Sequence, residues 1–246
     1  MATVTADRVR KRVRTRPLRN YDLVAGLYDL GSHLYSGGAI AASKRAVLRE
    51  IQPGQRVLFL GVGTGAEAVE ACACGAVVTG VDLSPEMLRR LRARLDARGL
   101  EAELILGDAL AHQRSAGYDV VAAHYFLNLF EPPAMRAALR HAASLLRPEG
   151  MLVIADLAPA RGDALERSLN HLYSKPAMAA FRALRLVPWH ENYDYAAECR
   201  AAGMEVLGEI PFRVARIGPT LFQTTLARKM SSSPADAPTA ADTPTG

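Results

Sequence analysis

Three glycines spaced two apart, in Arg56-Val57-Leu58-Phe59-Leu60-Gly61-Val62-Gly63-Thr64-Gly65-Ala66, constrain this chain more than any other feature. Val57 to Leu60 is an apolar run that reads as a buried strand, and a helical pattern starts at Ala66. A strand that turns on glycines into a helix presents backbone N–H groups to a ligand at the helix N-terminus. Glycine is needed there because the backbone bends tightly and a Cβ would hold a ligand away. Asp82 stands seventeen residues past Gly65, at the end of a second apolar run from Val77 to Val81. An acid in that place can take two ribose hydroxyls. Glycine turn and spaced acid together point to a cofactor with a nucleoside half.

The rest of the sequence continues the alternation. Ser84-Pro85-Glu86 starts a helix, with Ser84 as N-cap and Pro85 in the first position, and Leu88, Leu91 and Leu95 line its inner face. Its outer face carries Arg89, Arg90, Arg92, Arg94 and Arg98 beside Glu86 and Asp96, a solvated surface rather than a nucleic-acid patch. Further strands are expected at 101–106, 118–122 and 151–155, the last ending at Asp156, with a helix from Pro132 to Leu146 and a turn at 147–150. Strands alternating with helices predict a parallel sheet with right-handed crossovers. Beyond it, 157–188 reads as two short helices, 193–202 as a helix, and 205–212 and 221–228 as a terminal antiparallel pair. At 246 residues, half of them hydrophobic, the chain fits one α/β domain with additions or two small domains.

The ends differ from the middle. Arg8, Arg10, Lys11, Arg12, Arg14, Arg16 and Arg19 face only Asp7, so the net charge of +5 belongs to residues 1–20 and the remainder is slightly acidic. Such an arm is either a solvated, disordered tail or a contact for anionic lipid headgroups or nucleic acid. From Ser231 the chain is a Ser/Pro/Ala/Asp/Thr tail, read as disordered. Tyr21, Tyr28 and Tyr35 recur every seven residues and share one helical face, either as a packing stripe or as a lid with a tyrosine at the ligand. Cys72, Cys74 and Cys199 are too few for a disulfide framework, and Cys72 and Cys74 read as small buried thiols in the first crossover helix. There is no long apolar run and no apolar leader, so a cytoplasmic protein is expected, with the arm able to rest on a membrane surface.

Two cofactors compete for the glycine turn. A dinucleotide would need a second nucleotide half or a hydride-transfer site, and neither is visible. The alternative is S-adenosylmethionine. Leu-Gly-Val-Gly-Thr-Gly (60–65), Val-Asp-Leu-Ser-Pro-Glu-Met-Leu (81–88), Gly-Asp-Ala (107–109), Tyr-Asp-Val-Val (118–121) and Leu-Leu-Arg-Pro-Glu-Gly-Met-Leu-Val-Ile (145–154) follow in order over about 100 residues. With these motifs the chain resembles the class I S-adenosylmethionine-dependent methyltransferases, in particular the group around the ubiquinone/menaquinone C-methyltransferases. The resemblance implies a Rossmann-like, doubly wound sheet of seven strands, mostly parallel with an antiparallel C-terminal strand. It implies a methyltransferase domain over 21–230, a helical lid at 21–50 and a substrate insertion at 157–190 between strands five and six.

The same resemblance implies the site residues. Gly61, Gly63, Thr64 and Gly65 would admit the methionine moiety, Asp82 the ribose, and Leu83, Met87, Asp108 and Ala109 the adenine. Tyr28 would reach the ligand from the lid, and His124 would lie near the sulfonium. One position departs from the family pattern: Phe59 stands where an acid usually helps to hold the methionine end.

For catalysis, His124 and Asp156 are candidates because ligands collect at strand C-termini, and His190 is a candidate from the insertion. Tyr125 and Asn128 could orient an acceptor, and Tyr193 could form part of its wall. The expected activity is methyl transfer to a small, apolar acceptor of quinone, phenol or lipid-like type. The alternative is an inactive S-adenosylmethionine-binding module. There is no Asn-Pro-Pro-Tyr motif and no metal-ligand spacing, so neither a nucleic-acid partner nor a metal is expected.

Overall fold

The computed structural model describes residues 35–114, 117–161, 168, 170–173, 192–214 and 218–231. The basic arm, Tyr21 and Tyr28 of the lid, Trp189 and His190 with most of the insertion, and the tail after 231 lie outside the described residues.

Each strand forms where the sequence places an apolar run. β1 (Arg56–Leu60), β2 (Val77–Asp82), β3 (Glu103–Leu106), β4 (Tyr118–His124), β5 (Leu146–Leu157), β6 (Met204–Arg213) and β7 (Thr220–Lys229) build one sheet in the order β3-β2-β1-β4-β5-β7-β6. Pairs among the first five strands are parallel, and β7 runs antiparallel to both β5 and β6. The chain winds outward from β1 to β3, then returns to lay β4 on β1's other side. The strand order therefore reverses between β1 and β4, which opens a crevice at their carboxyl ends.

Alternation along β1 divides the core. Leu58 and Leu60 face α4 (Pro132–Ser144) and α5 (Tyr195–Ala201), packing with Met135, Leu139, Leu152 and Tyr195. Val57 and Phe59 face α2 (Ala66–Ala73), α3 (Pro85–Asp96) and the short helical turn at Ala46–Arg49 that continues α1 (Ala39–Arg45). Burying each such side chain contributes roughly 1.5–3 kcal/mol. Leu88, Leu91 and Leu95 are buried on α3 as their spacing predicts, and Ser84 caps it, its Oγ accepting from Met87 N at 3.2 Å.

Four readings need correction. Residues 147–150 are not a separate turn but an excursion inside β5: β4 advances from Tyr118 to Val120 while its partner advances from Leu146 to Met151. Asp119 fastens that excursion, accepting from Arg147 Nε and from Arg56 N on β1. β3 begins at Glu103, not at 101, and the late helix begins at Tyr195, not Tyr193, because Asp194 caps it by accepting from Ala197 N. Cys74 is exposed at the end of α2, whereas Cys72 is buried.

Candidate functional site

The glycine turn leaves β1 at the strand-order reversal. Gly61, Gly63 and Gly65 all have left-handed φ, at 65°, 57° and 62°. Their surroundings differ. A Cβ on Gly61 would lie 2.8 Å from the Phe126 ring, and one on Gly65 2.6 Å from Leu91. A Cβ on Gly63 would meet nothing within 4 Å, so this glycine faces the open crevice.

Asp82 ties the turn to β2. Its Oδ2 accepts from Gly63 N at 2.8 Å and its Oδ1 from Ser84 N at 2.9 Å. Leu83 follows and is exposed, while Met87 is buried on α3. Gly107 N donates to the Asp82 carbonyl at 2.9 Å and brings the next motif alongside. Asp108 Oδ1 accepts from Leu110 N at 2.9 Å, and the Ala109 carbonyl is held by His141 Nε2 at 3.1 Å. Burial lowers the pKa of His141, so that ring nitrogen serves as a neutral donor. Hydrogen bonds from Gly63 and Gly107 to Asp82 thus gather the glycine turn, Asp82-Leu83 and Asp108-Ala109 at the carboxyl ends of β1, β2 and β3, at one mouth of the crevice. An open glycine, a carboxylate beside it and an apolar flank at Leu83 suit a ligand with a ribose and a flat base.

On the other side of the mouth, His124 is the last residue of β4 and not a loop residue. Its Nε2 is buried without a hydrogen-bond partner, and burial drives its pKa down to about 4 despite the nearby Glu67 carboxylate. The ring stands edge-on to Phe59, centroids 5.8 Å apart. Tyr125 follows at φ 50°, a strained value for a residue with a side chain. That bend carries its hydroxyl to within 3.0 Å of Ser43 Oγ on α1 and its ring to 6.3 Å from Phe222. Tyr35 joins the same apolar cluster, and Tyr173, from the insertion, donates its hydroxyl to the Tyr35 carbonyl. Tyr35, from the 21–50 segment, and Tyr173, from the 157–190 segment, therefore touch, their ring centroids 5.0 Å apart.

Asp156 is fully buried and both its oxygens are engaged. Oδ1 accepts from Asn128 Nδ2 at 2.9 Å and from Leu157 N at 2.8 Å, and Oδ2 from the Tyr195 hydroxyl at 2.8 Å. The carboxylate anchors the end of β5 to α5 and to the loop after β4. Tyr193 packs in the core and donates to the Phe130 carbonyl at 2.8 Å. Tyr28 and His190 lie outside the described residues.

Sequence reasoning missed one group. Glu67, in the first turn of α2, is buried and pairs with Lys44 Nζ of α1 at 3.2 Å. Burial raises its carboxyl pKa, but Lys44 and the local backbone N–H outweigh that and the net shift is downward.

Comparison with known proteins agrees with this fold. The family described as "Methyltransferase domain" matches residues 57–150. The chain is 30% identical over 181 residues to a demethylmenaquinone methyltransferase of Mycobacterium tuberculosis, covering 73% of this chain and 71% of that protein. It is 35% identical over 141 residues to one of Thermus thermophilus, covering 55% of this chain and 63% of the relative, less than two thirds of its length. Among solved structures, the 1,6-didemethyltoxoflavin-N1-methyltransferase of Burkholderia thailandensis superposes with a TM-score of 0.59 at 20% identity, covering 86% of this chain and 87% of that one. The chain belongs to the class I S-adenosylmethionine-dependent methyltransferases.

Proposed function

We propose that this protein transfers the methyl group of S-adenosylmethionine to a small, apolar acceptor of quinol, phenol or lipid-like type. The observation that carries the reading is the open face of Gly63 with Asp82 Oδ2 at 2.8 Å from its N–H, set at the strand-order reversal. In this reading Asp82 receives the ribose hydroxyls, Leu83, Met87 and Ala109 flank the adenine, and Asp108 accepts from its amino group. The bound cofactor supplies a methyl group already activated by sulfonium, so the protein's work is to align an acceptor and exclude water. In the same reading Tyr125, held through Ser43 and Phe222, stands on the acceptor side. His124 is neutral at physiological pH, and a pKa of about 4 makes it a weak general base. The apolar cluster of Tyr35, Tyr173 and Phe222 supports an apolar acceptor, as do relatives named for demethylmenaquinone.

Incubation with methyl-labelled S-adenosylmethionine and a panel of demethylated quinols, phenols and amines tests this. Label transferred to a quinol or phenol is expected. Micromolar cofactor binding with no transfer across the panel would favour the inactive binding module instead.

No helix among the described residues is long and apolar enough to cross a membrane. In the proposed setting the basic arm rests on an anionic bilayer, which brings the mouth to an apolar acceptor. Flotation with anionic liposomes should lose most of the bound protein when residues 1–19 are removed; equal partitioning would rule the arm out.

A further inference from the structure

The cofactor proposed above ends in an amino acid, and its ammonium and carboxylate both need partners in the site. Phe59 occupies the place from which an acid would reach that end, and its ring is buried in the core. Charge is nevertheless present beside it. Glu67 on α2 and Lys44 on α1 form a largely buried ion pair at 3.2 Å. His124 on β4 stands against the Phe59 ring, close enough for both charges to act on it, and its Nε2 is buried without a partner. A carboxylate, an ammonium and an unused ring nitrogen, from three elements, thus lie within electrostatic reach of one another close to Phe59.

A purely structural account fits poorly. A buried ion pair gains little over apolar packing, and an orphaned buried nitrogen costs stability. Both features make sense if a ligand completes them. A zwitterion that enters the pair gives each charge a new opposite partner, so one ion contact is exchanged for two.

We propose that Glu67 and Lys44 replace the acid absent at position 59, Glu67 receiving the ammonium and Lys44 the carboxylate of the cofactor's amino-acid end, with His124 Nε2 hydrogen-bonding to the same end. The proposal rests on the reading of this mouth as an S-adenosylmethionine site. Glu67 and Lys44 are binding residues in it, and the reacting methyl group lies elsewhere.

Two ligands separate the proposal from that reading. S-adenosylhomocysteine carries the amino-acid end, and 5′-methylthioadenosine keeps the adenosine half without it. Calorimetry of the full chain should find that Glu67→Gln weakens S-adenosylhomocysteine by about tenfold or more, as loss of a buried charge partner does. Lys44→Met, at the more accessible end of the pair, should weaken it in the same direction. Methylthioadenosine should bind both variants within about twofold of wild type, which also certifies their folding. Unchanged S-adenosylhomocysteine affinity in the two variants would overturn the proposal. Equal weakening of both ligands would overturn it too, since the pair would then serve the fold alone. If neither ligand binds the wild-type chain, the underlying reading fails and the proposal with it.

Discussion

At the scale of single residues, the three turn glycines have separable tasks. Gly65 must avoid Leu91 and Gly61 must avoid Phe126, whereas Gly63 borders open space. Gly63→Ala should therefore keep the protein folded, with roughly 1–2 kcal/mol of left-handed strain, yet weaken cofactor binding more than Gly65→Ala weakens it per unit of stability lost. Thermal unfolding and S-adenosylhomocysteine titration of both variants check the contrast; equal ratios would remove Gly63 from the mouth.

His124 sets a second residue-scale expectation. Its pKa of about 4 when folded lies below the ordinary 6.5, so the unfolded chain binds the proton more readily between those values. Stability should be fully present above pH 6.5 and should fall as pH drops toward 4, by at most about 3 kcal/mol. Burial and Lys44 both oppose protonation of the ring and together outweigh Glu67, which favours it. Glu67 itself, held below 4.5, adds loss only at more acid pH. Urea unfolding at pH 5 and pH 7 should show a smaller difference for His124→Gln than for wild type; identical differences would mean that His124 is not held neutral. Asp82 could be read from its spacing alone. Glu67 could not, because an acid in the first turn of a helix is ordinary, and only tertiary packing buries it against Lys44 of α1.

At the scale of elements, the boundaries readable in advance are those with their own chemistry. Ser84-Pro85 starts α3 because Ser84 Oγ takes the Met87 N–H while Asp82 takes the Ser84 N–H, so one turn serves both the helix and the mouth. Ser84→Ala should cost about 1 kcal/mol, a fall of roughly 2–4 °C in the unfolding midpoint for a domain of this size. A scanning-calorimetry midpoint unchanged from wild type would show that Asp82 alone holds the turn. Residues 147–150 misled for the opposite reason. Arg-Pro-Glu-Gly has the composition of a free turn, but Asp119, on the neighbouring strand, clasps Arg147 and keeps the stretch within β5. Strand partners distant in sequence decide such cases. The same holds for Tyr193, which pattern places near a substrate and packing places in the core.

At the scale of the whole molecule, apolar runs and their rhythm foretold the seven strands and the antiparallel final strand. They did not foretell how β5 and α5 are joined. That joint is made by Asp156, which couples Asn128, Leu157 and Tyr195 from three parts of the chain. The sheet order puts the glycine turn, Asp82, Asp108 and His124 at one end of the central strands, and in the proposed function this common placement makes a cofactor mouth out of separate motifs. The most direct test is calorimetric titration of the full chain with S-adenosylmethionine, beside an Asp82→Ala variant whose fold is checked by circular dichroism. Micromolar binding, weakened at least about tenfold in the variant, is predicted. No heat of binding at millimolar cofactor, or equal affinity in the two proteins, would contradict it.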